Sequence, residues 1–102
     1  LFYDLMYVNY DGSEGFDPQR HFAFLRRGKN ELLLCVANFS DKDADCGVRI
    51  PTHAFDFLSM TSGNFSSEDI LSGEKTSITL TPDAFTQVKV GANKAILLSV
   101  KC

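Results

Sequence analysis

The chain has 102 residues, 44% of them hydrophobic, which is enough for one ordinary core without disulfide or metal staples. A formal charge of -3 and a sequence pI near 5.2 argue against nucleic acid or an anionic membrane as partner, and Arg26-Arg27 is the one adjacent basic pair. No apolar run approaches the roughly 20 residues that span a bilayer. Three cysteines, Cys35, Cys46 and Cys102, show no Cys-x-x-Cys spacing, so neither a disulfide framework nor a zinc site is indicated. This usage leans toward a reducing, cytoplasmic setting, leaves periplasm or secretion open, and leaves a Cys35–Cys46 bridge between neighbouring strands undecided.

Residues 2 to 8 are rich in aromatic and β-prone side chains and read as a first strand. The chain opens without an initiating Met in sequence that already reads as structured, so a segment of a longer polypeptide is expected. Turn signals at Asp11-Gly12, Gly15 and Asp17-Pro18 mark Asn9 to Gln19 as an exposed loop. Residues 20 to 40 then read as a hairpin. In its first arm Phe22 and Phe24 share one face, with Ala23 and Leu25 on the other. In its second arm Leu32, Leu34 and Val36 oppose Leu33, Cys35, Ala37 and Phe39. Strands apolar on both sides need cover on both sides. One face can build a sandwich core, and the other calls for a partner.

Cys46 to Ile50 is expected to return as a third strand of the hairpin's sheet, stopped by Pro51. Pro51 to Phe55 fits one helical turn, and the polar stretch around Phe65, Ile70 and Leu71, punctuated by Gly63 and Gly73, fits short exposed strands. Residues 76 to 81 alternate cleanly, with Ile78 and Leu80 inward, and Phe85 to Val90 alternates again. Ala95 to Val100 is apolar on both faces like Leu32 to Phe39, which places these two strands centrally, side by side or face to face. About seven or eight short strands, with turns about every ten residues, predict one all-β domain over residues 1–102, an antiparallel β-sandwich with Greek-key connections.

The polar side chains form no recognisable reaction centre. Asp41, Asp43 and Asp45 have the spacing of a calcium loop, but Cys46 stands where that loop needs glycine and Thr52 where it needs glutamate, so a polar turn is the better reading. His21 and His53 have no nucleophile at motif spacing and are expected at the surface or rim. The remaining acids cluster in turns. No catalytic, cofactor-binding or metal-binding residue is assigned, and no cofactor is expected. Tyr3, Tyr7 and Tyr10 are the candidate sugar-binding residues, because exposed flat aromatics stack on sugar rings; packing against a neighbouring domain is the competing use. Asn38-Phe39-Ser40 and Asn64-Phe65-Ser66 match the N-glycosylation tripeptide, which recurs often by chance.

Phe2-Tyr3-Asp4-Leu5, Phe22-Ala23-Phe24-Leu25-Arg26 and Asn38-Phe39-Ser40-Asp41 follow one another as near the end of alpha-amylase-type enzymes. Most of the chain resembles the C-terminal all-β domain of glycoside hydrolase family 13, with residues 63 to 74 matching only loosely. The resemblance implies that the catalytic carboxylates lie upstream in a (β/α)8 barrel and that no catalytic residue falls in this domain. It makes that barrel, in the same polypeptide, the expected partner. A non-catalytic domain that packs against and stabilises a barrel acting on alpha-glucans is the leading expectation. A starch- or maltooligosaccharide-binding module is the alternative, with alpha-glucan as its partner. An immunoglobulin-like adhesion domain is disfavoured because its Cys and Trp core signature is absent.

Overall fold

The computed structural model describes residues 1–10 and 15–101. They form β1 (Phe2–Asp4), β2 (His21–Arg27), β3 (Glu31–Asn38), β4 (Ala44–Arg49), α1 (Thr52–Phe57), β5 (Gly63–Asp69), β6 (Lys75–Leu80), β7 (Phe85–Val90) and β8 (Lys94–Lys101). Every strand pair is antiparallel: six strands in the order β1-β2-β3-β8-β5-β6 make one sheet, and β4 with β7 makes the other. The chain crosses between the sheets after β3, β4, β6 and β7, and the result is the expected β-sandwich. Among the described residues no helix is long and apolar enough to cross a membrane.

The hairpin forms as its alternation requires, with Ala23 opposite Val36 and Leu25 opposite Leu34. Those four side chains are fully or almost fully buried, together with Leu98 and Val100 of β8, Val48, Val88 and Val90 of the smaller sheet, and Ile50 just beyond β4. β3 and β8 lie side by side at the centre, Leu34 opposite Leu98. Two strands apolar on both faces are thus neighbours, where each flanks the other with surface of its own kind.

β4 corrects one expectation. It does not extend the hairpin's sheet but pairs with β7, Ala44 opposite Val90 and Val48 opposite Thr86. The chain is turned across the sandwich by Asn38, which is only 1% exposed. Its Oδ1 accepts from the Ser40 N–H at 2.9 Å, while Nδ2 faces the carbonyls of Lys42, Val90 and Gly91 at 2.8, 3.2 and 3.3 Å. A buried amide that satisfies a turn and the end of β7 together fixes where β3 stops and which sheet follows.

The N-terminal segment also differs. β1 ends at Asp4, whose Oδ1 accepts from the Met6 N–H at 2.9 Å, and Met6–Val8 is a 3-10 turn instead of further strand. An aspartate that bonds the backbone two residues on favours a turn over continued pairing. Asn9, 3% exposed, donates from Nδ2 to the carbonyls of Leu5 and Arg49 at 2.7 and 3.0 Å and accepts from the Arg49 N–H at 2.7 Å, tying this turn to β4.

The loop that follows is not wholly exposed. Residues 11–14 lie outside the described residues, but Phe16 is 1% exposed and belongs to the core. Gly15 makes that insertion possible: its φ is +80°, and a Cβ there would stand 2.6 Å from the Asp45 carbonyl oxygen. At the opposite end of the fold, α1 forms where one helical turn was expected, and its first N–H, that of Thr52, is accepted by Asp83 Oδ1 at 3.1 Å. Hydrogen bonds from the Thr52 hydroxyl and then its N–H hold the Asp83 carboxyl below the usual carboxylate range.

Candidate interaction face and aromatic shelf

The alternation that buries one side of the hairpin turns Phe22, Phe24 and Arg26 of β2, and Leu33, Cys35 and Ala37 of β3, to the outside of the larger sheet. Register sets them in rows. Phe24 lies opposite Cys35, which lies opposite Leu97; Phe22 lies opposite Ala37, which lies opposite Ala95. The Ile70 N–H donates to the Leu97 carbonyl at 3.0 Å, continuing the first row by one apolar residue. Rings reinforce it at the other end, with Phe2 and Phe24 centroids 5.1 Å apart and Phe22 and Phe24 centroids 5.8 Å apart. Phe2 is 57% exposed, Ile70 50% and Leu71 64%. A row of this kind across a sheet is a contiguous apolar surface, unlike scattered single side chains, which need no explanation.

Polar residues limit this surface on one side. Glu31 accepts from the Ser99 hydroxyl and, at 3.0 Å, from Lys101 Nζ. The Ser99 hydrogen bond first, then Lys101, holds the Glu31 carboxyl below its ordinary range. Beyond it Glu68 lies opposite Ser99, and Ser66 opposite Ser77, so the β5–β6 half of the same face is hydrophilic.

The sheet's position also separates the cysteines. Cys35 is on the outer face and half-buried, whereas Cys46 is in the core, and both thiols are free. A bridge between them is excluded here by the side of β3 that each occupies. Burial raises the Cys35 thiol above its usual range and, with a smaller contribution from Asp45, pushes Cys46 up to about 11.

The three candidate tyrosines are placed very differently. Tyr3 points inward from β1 and is 7% exposed; Tyr7 is 52% and Tyr10 72% exposed. Tyr3 and Tyr7 share a hydroxyl–hydroxyl hydrogen bond, and the Tyr3 hydroxyl meets His53 Nδ1 at 2.8 Å. Burial, then Tyr7, pushes the Tyr3 hydroxyl well above the usual phenol range. Around it the His53 and Phe57 rings stack at 6.1 Å with planes 14° apart, and Phe57 is 49% exposed. Tyr3, Tyr7, His53 and Phe57, with Phe2 and Asp4, line a shallow depression of about 310 Å³. Sequence reasoning missed His53 and Phe57 as its members. Their four-residue spacing on a helix was the available signal, since such pairs share a face.

His21 departs from the surface position expected of it, while His53 is exposed as expected. His21 is 6% exposed, accepts the Asp17 N–H on Nδ1 at 2.8 Å, and lies edge-on to Phe16 at 5.6 Å. It closes the loop that carries Phe16 into the core. Asp41, Asp43 and Asp45 are exposed, and Asp43 Oδ1 accepts the Ala92 N–H at 2.9 Å. Among the described residues no group of three or more His, Cys, Asp or Glu side chains comes together to hold a metal. Of the two glycosylation tripeptides, Asn38 is buried, while Asn64 is exposed and accepts from the Thr79 hydroxyl at 2.5 Å.

No protein-family model matches the chain, and no curated protein matches it. Solved structures do. A noncanonic maltogenic alpha-amylase from Thermotoga neapolitana superposes with a TM-score of 0.57 at 18% identity over 83% of this chain and 18% of its own. A candidate alpha-N-acetylgalactosaminidase from Bacillus halodurans C-125 superposes with a TM-score of 0.59 at 12% identity over 85% of this chain and 19% of its own. At these identities the likeness is one of fold. In both, a sandwich of this kind is less than a fifth of a larger chain named for glycosidase activity.

Proposed function

We propose that this chain is the non-catalytic C-terminal domain of an alpha-amylase-type glycoside hydrolase of family 13, and that its outer apolar face packs against the catalytic (β/α)8 barrel of the same polypeptide and stabilises it. The observation that carries this reading is the row Phe24, Cys35, Leu97 and Ile70, bordered by Phe2 and Phe22, on the outside of the larger sheet. Such a surface gains about 25 cal/mol for each Å² of apolar area removed from water, which is the driving force for docking. The two glycosidase chains that share the fold support an accessory domain of such an enzyme, and the resemblance of the sequence motifs to family 13 supports the choice of family.

The isolated chain is expected to bind a hydrophobic dye and to self-associate at high concentration through this face. Leu97→Lys and Phe24→Lys should each suppress both effects and change stability by less than about 1 kcal/mol. Strictly monomeric wild-type protein with no dye binding would contradict the proposal.

A second reading rests on the aromatic shelf. Tyr7, His53 and Phe57, supported by Tyr3 and flanked in sequence by Tyr10, form a surface on which an alpha-glucan ring could stack. The packing account expects the shelf, which adjoins Phe2, to be part of the docking face and therefore to show no response to millimolar maltoheptaose. Saturable shifts of the Tyr7 and His53 resonances in an NMR titration would favour the binding-module reading.

A further inference from the structure

The two sheets leave an opening on the side away from the hairpin. β6 ends the strand order of the larger sheet and β7 that of the smaller, so among the described residues each offers one edge of main-chain groups without a neighbouring strand. Near their connection the edges are bridged, the Thr86 hydroxyl donating to the Thr79 carbonyl at 3.1 Å. Beyond that bridge a cleft of about 380 Å³ opens between them, lined by Ser77 and Ile78 on one edge and Val88 and Lys89 on the other. The Thr79 carbonyl faces β7, and strand alternation turns the N–H and C=O of Ser77, two residues earlier, to that same side. The floor is apolar, made by Ile78, Val88 and Leu98. At the mouth stand Asp45, Glu74 and Lys89. Asp69 in the wall is already engaged: its carboxylate accepts from the Leu71 and Leu97 N–H groups and from the Ser72 hydroxyl.

We propose that this cleft takes an extended peptide bearing basic residues as an added strand. Its main chain would bond the edges at Ser77 and along β7, its apolar side chains would rest on Ile78, Val88 and Leu98, and a Lys or Arg would meet Asp45 and Glu74. Edge hydrogen bonds supply affinity in this mode of recognition and alternate side chains supply selectivity. Two carboxylates against one lysine at the mouth set the sign of the charge. Among the described residues no aromatic side chain lines the cleft, which favours a peptide over a sugar ring as occupant. This inference is independent of the glycosidase reading, because it uses neither the outer face nor the shelf.

The test is an amide-resolved NMR titration of the 102-residue chain with a blocked peptide, Lys-Val-Lys-Val-Lys. Saturable shifts at Ser77 and Val88 are expected. Methylating alternate peptide nitrogens, the Glu-Val-Glu-Val-Glu sequence, and the Asp45→Lys/Glu74→Lys double variant should each weaken binding about tenfold or more. Equal binding of the methylated peptide, shifts confined to the outer apolar row of Phe24, Cys35 and Leu97, no response at millimolar peptide, or maltoheptaose shifting the same amides would overturn the proposal.

Discussion

Phe16→Ala is expected to lower the unfolding free energy by about 3–5 kcal/mol, the range for removing a buried aromatic ring. The ring is 1% exposed and sits edge-on to His21, whose Nδ1 accepts the Asp17 N–H. Its removal therefore leaves a void beneath residues 15–20, none of which lies in a strand. Gly15, at φ +80°, already lies so close to the Asp45 carbonyl that a Cβ would stand 2.6 Å from its oxygen, so the chain has little room to shift inward and refill the void. For a domain of this size, the loss corresponds to a fall in Tm of more than about 12 °C. Thermal denaturation followed by far-UV circular dichroism measures it. A fall of only a few degrees would show that Phe16 is not a core residue.

Asn38→Leu is expected to cost about 2–4 kcal/mol despite its similar volume, because it removes one partner from several groups and leaves the others in place. The Ser40 N–H would lose its acceptor, and the carbonyls of Lys42, Val90 and Gly91 would lose Nδ2. Those groups lie where the chain leaves the larger sheet for the smaller, so the substitution loosens the join between sheets more than either sheet. Urea unfolding should show a lower midpoint, with Asn64→Leu as an exposed control changing stability by less than about 0.5 kcal/mol. Equal effects at the two positions would contradict the role assigned to Asn38.

Much of this fold is written in side-chain alternation. The hairpin arms, the one-sided strand carrying Ile78 and Leu80, and the central position of Leu32–Phe39 and Ala95–Val100 all follow from which residues recur every second position. Alternation tells which face a strand buries but not which neighbour it takes. The membership of β4 in the smaller sheet depends on Asn38, whose partners Val90 and Gly91 lie more than fifty residues away. Phe16 and His21 were misplaced for a similar reason: turn signals around Asp11, Gly15 and Pro18 predict a loop, and nothing local says that the loop folds inward. The outer face was legible because β2 and β3 are apolar on both sides. The shelf was only half legible, since tyrosine content drew attention to Tyr3, Tyr7 and Tyr10, whereas the geometry joins the first two to His53 and Phe57 of α1.

Cys35 offers the most direct measure of the proposed docking. It stands at the centre of the outer apolar row, half-buried in the isolated chain, whereas Cys46 is an internal control sealed in the core. With Cys102 replaced by serine, the rate of Cys35 alkylation at mildly alkaline pH can be read in this chain alone and in the intact enzyme polypeptide that the proposal calls for. Docking on a barrel predicts protection of Cys35 by about tenfold or more in the intact polypeptide, with Cys46 unreactive in both. Equal Cys35 rates in the two settings would contradict it.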